Sequence, residues 1–420
     1  MDMEELRKEK LERLESALTC KEPDRVPILV FNDVFCGKYS GYTAQEIYFD
    51  YEKWKDATLN VAKNFNFDYI FTLNGLEGMF LFASFIEKAP EVAANMRFVT
   101  GPYHQILEDT YTRWPGIELK EDVHPQFIGK EIMKKEEYDK FIEAPIKFMH
   151  EVALPRICKN LANPGSMEYN TTLTRLGAEA TNYGNATLQL IMELKNIGYP
   201  FFPMAHSYAP LDFLGDFLRD IKNVILDLYR DPETVKGAIE AITSHMIKTG
   251  TISGTIPPEV KEMFGTEIVW CFYPLHLTEY LKPELYNEYY WPSLLKVFKE
   301  TIKAGLLPFV LFEGSHDTHL ETLQSIPKHS IAGMFEKTDP RKVKEVIGDR
   351  MCIMYGPPNS LLIGSTPEKV HDWTRELLVD MKDDGGFILF PGVDAAGIAK
   401  DARPENIKAM MDAVEKYGKY

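Results

Sequence analysis

Residues 307–336 read LPFVLFEGSHDTHLETLQSIPKHSIAGMFE. Two apolar runs, 307–312 and 331–335, each stop at a carboxylate, Glu313 and Glu336, with a polar stretch between them. Short uninterrupted apolar runs mark strands buried on both faces, and an intervening helix marks a parallel crossover. The same unit repeats outward in both directions. Downstream lie MCIMYG (351–356) and GFILFPG (386–392), with a last helix over 404–417. Upstream lie IVWCFYPLH (268–276) and FFPMAHS (201–207), separated by helical patterns over 211–231 and 233–254; another helix is predicted over 286–304. VPILVF (26–31) and FDYIFTL (67–73) add two more strands.

Strand ends therefore fall near Asp33, Asn74, His206, His276, Glu313, Glu336, Pro357 and Gly392. Eight βα units with helical termini predict a single α/β domain over 1–420, a closed (β/α)8 TIM barrel with an N-terminal helix. Residues 76–166 break the rhythm and read as an elaboration after the second strand. Within it, MRFVTGPYHQILEDTYTRW (96–114) alternates like strands or a hairpin, and 134–161 reads as helical.

The 420-residue chain carries 47 Lys+Arg against 63 Asp+Glu, a formal charge of −16 that argues against nucleic acid or an anionic membrane as partner. Five scattered cysteines without a CxxC pair fit a reducing compartment. The charged start has no secretory h-region, and no apolar run is long enough to span a bilayer, so a cytoplasmic location is expected. No GxGxxG follows a strand and no GxxxxGK[ST] occurs, which removes the main nucleotide-binding signals.

In such a barrel the active site lies at the C-terminal strand ends. The polar residues there are Asn32, Asp33, Asn74, His206, His276, Glu313, Glu336, Asn359 and Asp394. Asn359 reads as a helix cap, and Asp33 as either a cap or a site residue. His206 and His276 each leave an apolar run, as structural or catalytic histidines alike do. Glu313 stands out, because a carboxylate at the mouth of a buried strand must be paired, protonated or bound to metal. His316 and His319 follow it, but the HExxH pattern is absent. Aromatic residues near strand ends, Phe312 among them, suit a planar or aromatic ligand.

Several motifs carry a family resemblance. They are KEPDRVPI, APLDFLGDFLRD, the YNEYYWPSLLKVFKETIKAG helix, FVLFEGSHDTHLETL, KVKEVIGDRMCIMYG, STPEKVHDWTRELL, GGFILFPG and ARPENIKAMMDAVEKYG. In order and spacing the chain resembles the uroporphyrinogen decarboxylase superfamily, which implies one (β/α)8 barrel. The true decarboxylases carry arginines just past the first strand; VPILVFNDVFCGKYSGY (26–42) has none, only Lys38. The other branch comprises corrinoid-dependent methyltransferases. Those acting on coenzyme M hold zinc at positions occupied here by Leu311, Glu313 and Val393, which lack the soft or imidazole donors that role needs.

The remaining resemblance is to the methyltransferase component of anaerobic O-demethylases. It implies transfer of a methyl group from an aryl methyl ether to the Co(I) corrinoid (cobalamin type) of a separate protein. On that reading Glu313, His276 and Glu336 are catalytic, with Glu313 as a protonated acid oriented by a neutral His276. Asn32, Asp33, Asn74, His206, Phe312 and Asp394 are expected to contact substrate. Any metal, zinc included, would fall to Glu313, His206 and Glu336. Two alternatives stay open: methyl transfer from a methylcorrinoid to a thiol or folate, and a non-catalytic barrel that docks a corrinoid protein.

Overall fold

The computed structural model describes residues 2–93, 96–395 and 397–420; the side chains of Asp33 and Glu91 also lie outside the described residues. Eight parallel strands form the predicted barrel. They are β1 (Leu29–Val30), β2 (Tyr69–Ile70), β3 (Met204–His206), β4 (Trp270–Leu275), β5 (Leu307–Phe312), β6 (Ile331–Phe335), β7 (Met351–Tyr355) and β8 (Phe387–Leu389). Strands β3 to β8 make one continuous parallel sheet in chain order. A bridge between Ile28 and Leu389 joins β8 to β1, and β1 pairs with β2. Among the described residues β2 and β3 share no ladder. Their seam is spanned instead by an Arg97 Nη1–H that donates to the carbonyl of Met204.

Strand alternation divides the apolar residues into two cores. Tyr69, Trp270, Phe272, Phe309, Leu311, Met334, Met354 and Ile388 fill the barrel interior. Their neighbours of opposite parity, including Val30, Tyr273, Val310, Phe312 and Phe335, face the surrounding helices. That period of two follows from the pleat. The N-terminal helix α1 (Met3–Leu18) places Leu11, Leu14, Ala17 and Leu18 against the interior cluster and so plugs the barrel floor. It is clamped by Arg13, which bonds Asp24 and the fully buried Asp68 at 2.6 Å. Asp68 also pairs with Arg25 and accepts from the backbone of Ile28, fixing the starts of β1 and β2 together.

Three local readings need correction. The 96–114 segment is no hairpin: Phe98–Val99 pairs with Leu76–Glu77, Thr112–Arg113 pairs with Gln126–Phe127, and a helix over Gly101–Leu107 separates them. Thr100 caps that helix, its hydroxyl accepting from Tyr103 N, a local bond that competes with a strand. The 211–231 helix is broken in two at Asp220, φ 69°, between the π turn Gly215–Arg219, which continues Pro210–Leu214, and Ile221–Arg230. The helix before β3 spans Met167–Asn196. Its first half is rich in Thr, Asn and Gly, weak helix formers that leave no clear period. The expected helix over 134–161 consists of short helical pieces from Lys135–Glu137 to Lys159–Leu161.

Candidate active site

The parity that sends Phe309 and Leu311 into the barrel continues to Glu313, and that of Trp270 and Phe272 continues to His276. Both side chains therefore reach the C-terminal mouth, where they line a cavity of about 250 Å³. His276 Nε2 lies 3.0 Å from Glu313 Oε1. Its Nδ1 makes a short hydrogen bond to Asp216 Oδ2, and Asp216 is only 2% exposed. The Tyr208 hydroxyl donates to the same Asp216 oxygen at 2.9 Å.

Burial would push the His276 pKa down, but Asp216 and Glu313 together outweigh it and raise the value well above the ordinary one. Both ring nitrogens thus face carboxylate oxygens, an arrangement that favours the charged imidazolium over the neutral ring of the sequence reading. Glu313 is not sealed within the strand either; its side chain is 34% exposed and faces the cavity.

The turn that aims Glu313 is built locally. Gly314 has φ 69°, and a Cβ there would meet Glu279 Oε2 at 2.5 Å, so only glycine fits. Its N–H donates to Glu336 Oε2 at 2.6 Å. Glu336 therefore fastens the β5 and β6 ends together rather than lining the cavity.

Behind His276, Asp212 is buried and accepts from Tyr290 Oη at 2.7 Å and from the backbone N–H groups of His276 and Leu277. Burial and the neighbouring Asp216 raise its pKa to about 7. On the opposite wall stands Glu77, brought there by the Leu76–Glu77 pairing with Phe98–Val99. That approach is close: a Cβ on Gly75 would lie 2.7 Å from the Val99 carbonyl. Burial pushes the Glu77 carboxyl up, Glu313 and Asp216 add to the effect, and His276 opposes it. Phe31, Phe71, Phe98, Phe272, Tyr48 and His124 supply most of the remaining lining.

The other expected site residues sit elsewhere. Asn32 is buried beside β1, and among the described residues its amide nitrogen has no partner. Asn74 is spent on the Ile47 carbonyl at 3.0 Å. His206 is fully buried between Phe98 and Phe272, and burial and Arg97 push its pKa down to about 3. Phe312 points outward and stacks on Phe335 at 4.4 Å, as strand parity requires. Asp394 accepts from the backbone and amide of Asn359, tying the loops after β7 and β8. The Asp33 side chain lies outside the described residues. Among the described residues Glu313, His206 and Glu336 do not converge, and no cluster of three His, Cys, Asp or Glu side chains forms a metal site. With Leu311 and Val393 apolar, the donor set does not fit zinc.

Asp216, Tyr208 and Glu77 were missed. Asp212 and Asp216 stand four residues apart in the otherwise apolar 209–218 (APLDFLGDFL), which is a legible sign of a buried carboxylate pair. Glu77 left no such sign.

These features define a (β/α)8 barrel whose mouth holds a carboxylate–imidazole–carboxylate relay opening on an aromatic cavity. A sequence model described as uroporphyrinogen decarboxylase (URO-D) matches residues 204–417, and the chain belongs to that family. No curated protein matches the sequence. Among solved structures the chain is similar to a methyltransferase from Methanosarcina mazei, with a TM-score of 0.61 and 15% sequence identity. The match covers 96% of this chain and 98% of that one, and it shows the shared fold.

Proposed function

We propose that this protein is a methyltransferase that takes the methyl group of an aryl methyl ether and passes it to a Co(I) corrinoid held by a separate protein. The observation that carries the reading is the His276–Glu313 pair, a stored proton at the edge of a cavity walled by phenyl rings. Among the described residues no Lys or Arg lines that cavity, while two glutamates do. A ligand bearing many carboxylates would meet repulsion there, so tetrapyrrole decarboxylation is disfavoured.

The Co(I) centre supplies the electron pair that bonds to the methyl carbon. The protein's task is at the other end of the breaking bond. The C–O electron pair stays on oxygen, and an aryloxide leaves readily only if that oxygen is protonated. His276 carries the proton, and Glu313, 3.0 Å from its Nε2, shares the cavity wall with it. We assign Glu313 as the group that relays the proton to the leaving oxygen, with recharging from His276. Asp216 and Tyr208 fix the ring and stabilise its charge. Phe31, Phe71, Phe98 and Phe272 hold the arene and exclude water.

The reading is tested by anaerobic incubation with a methoxyarene, with and without a Co(I) corrinoid. Phenol released only when the corrinoid is present supports it. Phenol formed equally without the corrinoid overturns it, as does no phenol beside an active positive-control enzyme. The fold shared with a methyltransferase supports methyl transfer, and the aromatic cavity with its His276–Glu313 pair favours an aryl ether as donor.

A further inference from the structure

A second cavity, of about 410 Å³, opens at the seam between β2 and β3, under the helix Met167–Asn196. Its size falls in the range of roughly 300–1,000 Å³ typical of small-molecule sites. The walls are mostly apolar, with Phe201, Phe202, Ile191, Leu188 and Phe264 prominent. One charge faces it, Arg97, and the described residues offer that guanidinium no carboxylate. Its recorded hydrogen bond is to the Met204 carbonyl. Burial pushes its pKa down, and only Tyr183 and Cys271 pull the other way. An arginine in an apolar pocket without a counter-ion is a costly arrangement that a bound anion would relieve.

We propose that this seam is a binding site for an amphipathic carboxylate, its apolar body among the phenyl rings and its carboxylate on Arg97. One edge of the guanidinium is occupied by Met204, which leaves donors for a planar carboxylate. A phosphate dianion would need more donors than one arginine supplies. The site is separate from the barrel-mouth cavity, although Phe71, Leu73 and Phe98 belong to the walls of both. The proposal does not depend on the methyl-transfer reading.

Octanoate and 1-octanol, matched in apolar length, test it by equilibrium dialysis against the full chain. The expected result is saturable 1:1 octanoate binding at least tenfold tighter than octanol, with Arg97→Gln bringing the two together. Because Arg97 also bridges the seam, a second variant is needed that leaves it in place. Leu188→Trp alters a residue 49% exposed on the helix that rims the cavity, and it should abolish octanoate binding while thermal unfolding stays unchanged. Equal binding of acid and alcohol to the wild type, no saturable binding, or octanoate binding that survives Leu188→Trp would overturn the proposal.

Discussion

His276 and Glu313 meet at 3.0 Å although they come from different strand ends, and Asp216 holds the far side of the same ring. The imidazole thus bridges a buried carboxylate and one that faces the cavity.

Glu313→Gln keeps a hydrogen-bond acceptor for His276 but cannot carry the proton onward. Single-turnover phenol release should fall by about 10²-fold or more. Unfolding in urea should shift by less than about 1 kcal/mol, because the side chain is partly exposed. Wild-type rates in this variant would remove Glu313 from the mechanism.

Acidity should show itself on the alkaline side. The folded-state pKa of His276 is raised above its ordinary value of 6.5. Its contribution to stability is therefore fully present below pH 6.5 and is lost as pH rises through the raised folded value. The rate of methyl transfer should follow the same limb, flat through neutrality and falling only at alkaline pH. A rate that halves near pH 6.5 would show a neutral ring at work.

Removing the ring has a larger structural effect than removing Glu313. His276→Gln leaves Asp216 buried without its cation, which costs about 3–5 kcal/mol. Chemical denaturation of the variant across pH should also lack the alkaline decline expected of the wild type.

The cavity itself can be filled. Leu311 lines it from β5, and Leu311→Trp should raise KM for a methoxyarene strongly, with an overpacking cost of about 1–3 kcal/mol. Unaltered KM in a folded variant would place the substrate elsewhere.

At the barrel floor, Asp68→Ala would leave Arg13 and Arg25 without their shared buried partner. Equilibrium unfolding should show a loss of about 3–5 kcal/mol, with no specific effect on the pH profile of transfer.

The barrel was legible because its strands are short apolar runs ending in polar residues, and a two-sided burial pattern survives any change of detail. His276 and Glu313 were legible for the same reason. Their partners were not. The 209–218 run marks Asp216 as buried but not as the partner of His276, and Glu77 arrives by an antiparallel pairing across the 76–166 elaboration; such long-range contacts leave no period in the sequence. Phe312 shows the opposite failure: its neighbour Leu311 faces the barrel, so strict alternation already turned Phe312 outward. The first half of the Met167–Asn196 helix shows no apolar period because its face is built from small polar residues; of its leucines, Leu176 is buried there, and Leu190 and Leu194 are buried in the second half.

The most direct test supplies a methyl-deuterated methoxyarene and a Co(I) corrinoid protein under anaerobic conditions, reading cobalt spectrum and phenol together in one reaction. The account predicts one deuteromethyl group on cobalt for each phenol released, with both signals lost together in Glu313→Gln. Phenol without label on cobalt, or label transfer undiminished in Glu313→Gln, would contradict it.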